Sequence, residues 1–170
     1  MDTLTSIFKR RSIRRFTAQA VEKGKVDMLL QAAMAAPTAK NMQDWEFLVV
    51  TSKEGKKKIQ EAHPTGFVAA NAPLAIIVCS NLGREKIAPG FFAQDCAAAI
   101  QNMMLAAYDM GLGSVWMGVY PRQDRVAAIK TAFDMPEDIQ PVAVVVFGYA
   151  DEQKPDQNRF DPEKVHYEKW

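Results

Sequence analysis

The chain has 170 residues, enough for one domain with a full hydrophobic core. Its 21 Lys and Arg against 20 Asp and Glu leave a net charge of +1, which argues against a dedicated nucleic-acid binder. No apolar run reaches membrane-spanning length, and the start is apolar before its basic residues rather than after them, so the expectation is a cytoplasmic protein with no membrane partner. Cys79 and Cys96 lack CxxC spacing. With His63 and His166 as the only histidines, neither a disulfide framework nor a metal site is expected.

In chain order, residues 3–10 suit a short helix with Leu4, Ile7 and Phe8 on one face. A clearer helix covers 22–36, where Val26, Leu29, Leu30, Ala33 and Met34 keep helical spacing until Pro37 ends it. Glu46 to Thr51 reads as a strand, and Lys53 to Ala62 as a lysine-rich surface helix. Leu74 to Cys79 is a continuous apolar run, the pattern of a buried strand. Asn81 to Gly90 is a loop. Phe91 to Met110 is helix-forming and almost wholly apolar, so it must lie in the core or against a partner subunit, and Gly111 stops it. Ser114 to Tyr120 is a strand, Arg122 to Phe133 a helix, and Val142 to Phe147 the last strong strand. Tyr149 to Trp170 is polar, holds Pro155 and Pro162, and finishes in aromatics. Pattern alone gives α/β or α+β and leaves the polarity of the sheet open.

Three stretches carry chemistry. Five of the eight residues from Lys9 to Phe16 are basic although the chain is nearly neutral, so positive charge is concentrated there. Guanidinium forks with a hydroxyl among them suit one phosphate group; a solvated helix end is the plainer alternative. Between a helix end and a strand, Pro37 to Phe47 offers small polar side chains, amides and an indole. Such a loop can hydrogen-bond a heterocycle or serve only as a connection. Gly111 to Gly118 holds three glycines in eight residues, which permits close backbone approach to a flat ligand or merely stops a helix. It is not the dinucleotide fingerprint, which needs glycine where Trp116 stands and follows a strand.

Taken together, RRSIRRF, PTAKNMQDWEF, GLGSVWMG after an Ala-rich helix, and an Arg in a Pro-containing tail resemble the FMN-dependent nitroreductase family, in its compact form, along essentially the whole chain. The resemblance implies an α+β fold with a mostly antiparallel central sheet flanked by helices, in an interlocked homodimer with two FMN sites at the subunit interface. It implies a core over 1–148 and a tail over 149–170 that docks on the partner subunit and adds to its sheet. Arg10, Arg11, Ser12 and Arg14 would hold the FMN phosphate and nearby polar edge, with Arg14 toward the pyrimidine side. Pro37, Thr38, Ala39 and Asn41 would reach the flavin of the other subunit. The backbone at Trp116, Met117 and Gly118 would face the ring, and Arg159 would return to the phosphate. The match departs at Asp44, where the family commonly has Pro.

The resemblance further implies an oxidoreductase that passes two electrons from NADH or NADPH through FMN to a nitroaromatic or quinone-type acceptor. A shared ring face implies a ping-pong scheme. The flavin carries the hydride chemistry, so no catalytic side chain is named. Alternatives are an FMN-binding carrier or sensor, or another reaction of the fold such as dehalogenation or enoate reduction. The short segments 63–72 and 81–94 leave little room for the lid that those reactions commonly use.

Overall fold

The computed structural model describes residues 2–170, with the backbone alone at 85–87. Among these residues, four strands form one sheet: β1 (Trp45–Val50), β2 (Leu74–Asn81), β3 (Gly113–Gly118) and β4 (Ile139–Gly148). Their order is β1-β2-β4-β3, and every neighbouring pair is antiparallel. The polarity that residue pattern left open is therefore antiparallel throughout, as the resemblance implied.

Among the described residues, six α-helices surround this sheet: α1 (Thr3–Lys9), α2 (Lys23–Met34), α3 (Lys53–Ala62), α4 (Phe67–Ala70), α5 (Phe92–Asp109) and α6 (Gln123–Ala132). Strand side chains alternate between two faces. Ile76, Val78, Val145 and Phe147 meet Leu29 and Ala33 of α2 and Cys96, Ile100 and Met103 of α5. Ala75, Ile77, Val144 and Val146 meet Ile59 of α3, Val68 of α4, and Val126 and Ile129 of α6. Helices on both faces explain why β2 and β4 are uninterrupted apolar runs rather than alternating ones. Cys79 and Cys96 are both buried and unbridged, and burial pushes the Cys79 thiol up to about 12.

The element reading differs from the structure in small, physical ways. β4 begins at Ile139, ahead of the expected Val142, because a proline inside a strand is tolerated at a bulge. The β2–β4 register shifts there: Val78 pairs with Ala143, and Cys79 with Pro141. β3 stops at Gly118 rather than Tyr120, opposite that bulge, where the N–H groups of Val119 and Tyr120 both donate to Val142 O at 3.1 Å. α1 is capped by Asp2, whose carboxylate accepts from Thr5 N–H at 3.0 Å, yet its apolar residues Leu4, Ile7 and Phe8 are exposed in the protomer.

Outside β3, the N-terminal segment runs as a further, irregular strand. Ser12 bridges Ser114 in parallel, and Phe16 bridges Ala150 antiparallel. Gly113 makes this approach possible: a Cβ there would lie 2.9 Å from both Cβ and Cγ2 of Ile13. Replacing Gly113 with Ala should therefore push Ile13 off the sheet. A loss of about 1–3 kcal/mol, the usual cost of overpacking, is expected in urea unfolding. Unchanged stability would mean that the segment moves freely.

Candidate functional site

The basic segment is clamped from both sides. On the sheet side, Ile13 N–H donates to Ser114 O at 2.9 Å. On the other side runs the C-terminal tail. Thr17 N–H donates to Tyr149 O, and Asp151 N–H to Arg15 O, each at 2.9 Å. Glu152 Oε1 then accepts from the N–H groups of Arg14 at 2.5 Å and Arg15 at 3.2 Å. Asp156 pairs with Lys9 and lies 3.6 Å from Arg11 Nη2.

This arrangement encloses a cavity of about 370 Å³ lined by Arg10, Arg11, Ser12, Gln157, Asn158, Arg159 and Phe160, with Ile7 and Phe8. Three of the expected phosphate ligands and the tail Arg159 thus meet in one place. Burial first, then the like charges of Arg11 and Arg159, hold the Arg10 guanidinium below its ordinary pKa. Arg10 Nη1 is buried and has no hydrogen-bond partner. Arg11 is different. Its Nε donates to Pro155 O at 2.8 Å, and its Nη1 to Phe8 O at 2.8 Å and Arg10 O at 2.7 Å, so most of its fork is spent on the protein's own backbone. Arg11 Nη2 is likewise buried without a hydrogen-bond partner, 3.6 Å from Asp156, so each guanidinium keeps one unsatisfied nitrogen while Arg11 also ties α1 to the tail.

Arg14 belongs to a second cavity of about 250 Å³, which it shares with Trp116, Met117, Gly118, His63, Thr65, Phe67 and Arg125, among others. β3 is the edge strand here. Ser114 O points away from β4, toward Ile13, and alternation along the strand puts the backbone groups of Trp116 and Gly118 on the same outward edge. A Cβ built on Gly118 would meet nothing within 4 Å. A flat molecule could lie directly against this edge.

Pro37, Thr38, Ala39 and Asn41 line neither of these two cavities in the same protomer. Their loop is strained: Lys40, Asn41 and Gln43 have φ of 52°, 54° and 49°. It is held by Ala39 N–H, which donates to both oxygens of Asp95 at 3.0 and 3.1 Å, and by Gln43 N–H, which donates to Thr38 Oγ1 at 3.0 Å. Asp44 anchors its far end. The residue is fully buried, Ser80 Oγ donates to its carboxylate at 2.5 Å, and Asn81 N–H donates to its backbone oxygen at 2.7 Å.

Residue reasoning missed Glu152, Asp156, His63 and Arg125. No periodicity marks the two tail acids, and their role arises only because the tail runs beside Lys9–Thr17. Glu152 is held down to about 2, chiefly by the Arg14 N–H bond and then by Lys154. A depressed carboxylate stabilises the fold above its ordinary value of 4.5, and that contribution is lost as pH falls through about 2. Protection of the Arg14 and Arg15 amides, relative to their intrinsic exchange at each pH, should therefore hold at pH 5 and fall between about pH 4.5 and 2, and Glu152→Gln should lower it already at pH 7. Equal protection in variant and wild type would remove Glu152 from the clamp.

The nitroreductase family model matches residues 7–63 and 60–149. A Methanothermobacter thermautotrophicus protein with the provisional name NADH dehydrogenase/NAD(P)H nitroreductase is 46% identical over 170 residues, which are 100% of this chain and 88% of that protein. A similarly named crystal structure from Parabacteroides distasonis superposes with a TM-score of 0.94 at 34% identity, covering 99% of this chain and 98% of that one. An FMN-dependent nitroreductase from Clostridium difficile superposes at 0.90 with 31% identity, covering 98% and 99%. The chain belongs to the nitroreductase family.

Proposed function

We propose that the chain is an FMN-dependent oxidoreductase that takes two electrons from NADH or NADPH and delivers them to a nitroaromatic or quinone-type acceptor. The observation that carries the reading is the buried Arg10 Nη1 without a partner, on the wall of a cavity it shares with Ser12 and Arg159. Burying a guanidinium donor unsatisfied costs free energy that a phosphate oxygen would recover. The residues present fit FMN on two counts: a phosphate-sized cationic cradle, and an edge strand whose last glycine leaves its outer face open.

In this reading Arg10, Ser12 and Arg159 bind the phosphate, and Arg11 holds the cradle's shape. Arg14, exposed and carried by the same segment, would bring positive charge to the second cavity and favour electron density added to a ring held there. The outward N–H groups of Trp116 and Gly118 orient the ring edge. When bound, FMN supplies the hydride and two-electron chemistry itself. This chain's residues bind, orient and polarise, and none is required as an acid or base. With one open face, donor and acceptor take turns there, which is a ping-pong scheme.

A second copy of the chain completes the site. Pro37 to Asn41 sit apart from both cavities of their own protomer, as expected of a loop that serves the partner's flavin. Leu4, Phe8, Met34 and Phe91 are exposed apolar side chains that pairing would cover. β1 has a free edge, with Leu48 and Val49 exposed beside it. The tail beyond the clamp ends in exposed Phe160, Tyr167 and Trp170, and in this reading it adds to that edge on the partner.

FMN titration should show tight binding, and Arg10→Ala should weaken it by about 1–3 kcal/mol, the scale of a charge-assisted hydrogen bond. Arg11→Ala should lower stability more than affinity. Protein that takes up no FMN would end the flavin reading. Double-reciprocal plots at several acceptor concentrations should be parallel; intersecting lines would mean that both substrates bind together. Sedimentation should give a dimer at micromolar concentration, and a folded monomer that retains FMN would refute the shared site.

A further inference from the structure

We propose that His63 and Arg125 are positioning residues: they fill both lone pairs of the Gly118 carbonyl, so that Gly118 offers the ring its N–H and no free acceptor. The proposal rests on the flavin reading above and concerns two side chains outside the expected binding set.

The arrangement starts in a turn. Gly66 follows the end of α3, and a Cβ there would lie 2.5 Å from Gln60 Cα and from Ile59 O, so glycine alone lets the chain fold back this tightly. Gly66 N–H donates to His63 O at 2.8 Å. The turn buries the imidazole, which is 4% exposed. Thr65 N–H donates to Nδ1 at 3.2 Å, which makes Nδ1 the acceptor and leaves the proton on Nε2. Nε2–H in turn donates to Gly118 O at 3.0 Å. Arg125, from the first turn of α6, donates through Nη1 to the same oxygen at 2.8 Å. Burial first, with the Arg125 charge, lowers the His63 pKa against the opposing pull of the Gly118 bond, which favours this neutral tautomer.

Two donors on one carbonyl at the end of an edge strand exceed what chain termination needs, since water would serve. Arg125 Nε is also buried with no partner, so the guanidinium is held there at a desolvation cost. The purpose follows from flavin chemistry. The oxidised ring accepts a hydrogen bond at the nitrogen that receives hydride, and the reduced ring donates from it. An edge of N–H groups favours the oxidised form, whereas a free carbonyl favours the reduced form. Gly118 carries both groups on the same outward side, and occupying its oxygen decides between them. The charged groups lining the cavity are Arg14 and Arg125, with no carboxylate among its lining residues.

His63→Phe removes one donor without changing either charge, and His63→Gln can restore an N–H. In FMN-free protein, the carbon-13 resonance of the Gly118 carbonyl should move upfield in His63→Phe and return toward wild type in His63→Gln. An unmoved resonance overturns the proposal whatever the protein binds. In FMN-loaded protein, the midpoint potential should be more positive in His63→Phe and largely restored in His63→Gln. Equal potentials in the three proteins at equal thermal stability overturn the positioning role. If His63→Phe does not fold, Arg125→Met frees the other lone pair and is read by the same resonance. Wild-type protein that takes up no FMN would sink the flavin reading alone, and the carbonyl resonance still decides whether the oxygen is held.

Discussion

The site depends on one ribbon of backbone, the segment from Lys9 to Thr17 caught between the edge of β3 and the returning tail. Its own sequence could not hold it there, because a run of five cations among eight residues repels itself. Ser114 supplies a carbonyl from the sheet, Glu152 a carboxylate from the tail, and Gly113 the room for Ile13 between them. Ile13 is buried while Arg14 beside it is exposed, the period-two alternation of a strand. Alternation puts Arg10, Ser12 and Arg14 on one face of the segment, and their places along it bring Arg10 and Ser12 to one cavity and Arg14 to the next. The charge pattern and the strand geometry are therefore one device.

Around this ribbon the molecule divides its labour. The sheet and its helices obey local rules: alternating strand faces, an Asp cap on α1, a bulge where a proline interrupts β4. Most of the exceptions fall beside the two cavities or in the 37–44 loop. Of five described non-glycine residues in the left-handed region, Lys40, Asn41 and Gln43 lie in the 37–44 loop, and the unsatisfied nitrogens of Arg10, Arg11 and Arg125 belong to residues that line the two cavities. Strain and orphaned donors of this kind persist only where the surrounding fold over-determines them, and they mark binding surfaces.

Much of this was legible in the residues. The strand cores at Phe47–Val50, Leu74–Cys79 and Val142–Phe147 were plain from hydrophobic runs, and helix ends from Pro37 and Gly111. The cationic cradle was legible as chemistry, since Arg10, Arg11 and Ser12 are adjacent in the chain. Sheet polarity was not, because runs buried on both faces look alike whichever way they pair. The division between Arg10 and Arg11 was hidden too: identical side chains differ here only in which carbonyls lie within reach. His63 and Arg125 are 62 residues apart in the chain and meet only at a third residue's oxygen. No spacing rule brings such a trio together.

The placement of the three tryptophans gives the chain a set of optical reporters. Trp45 sits at the start of β1 with 7% exposure, Trp116 on the outward edge of β3 with 37%, and Trp170 at the end of the tail, fully open. Their emission separates by environment: the core indole reports global unfolding, the strand-edge indole anything that stacks beside Gly118, and the terminal indole the surface on which the tail comes to rest. Removing them in pairs leaves one chromophore at a time. Core, ring site and tail can then be followed separately in solution without a label.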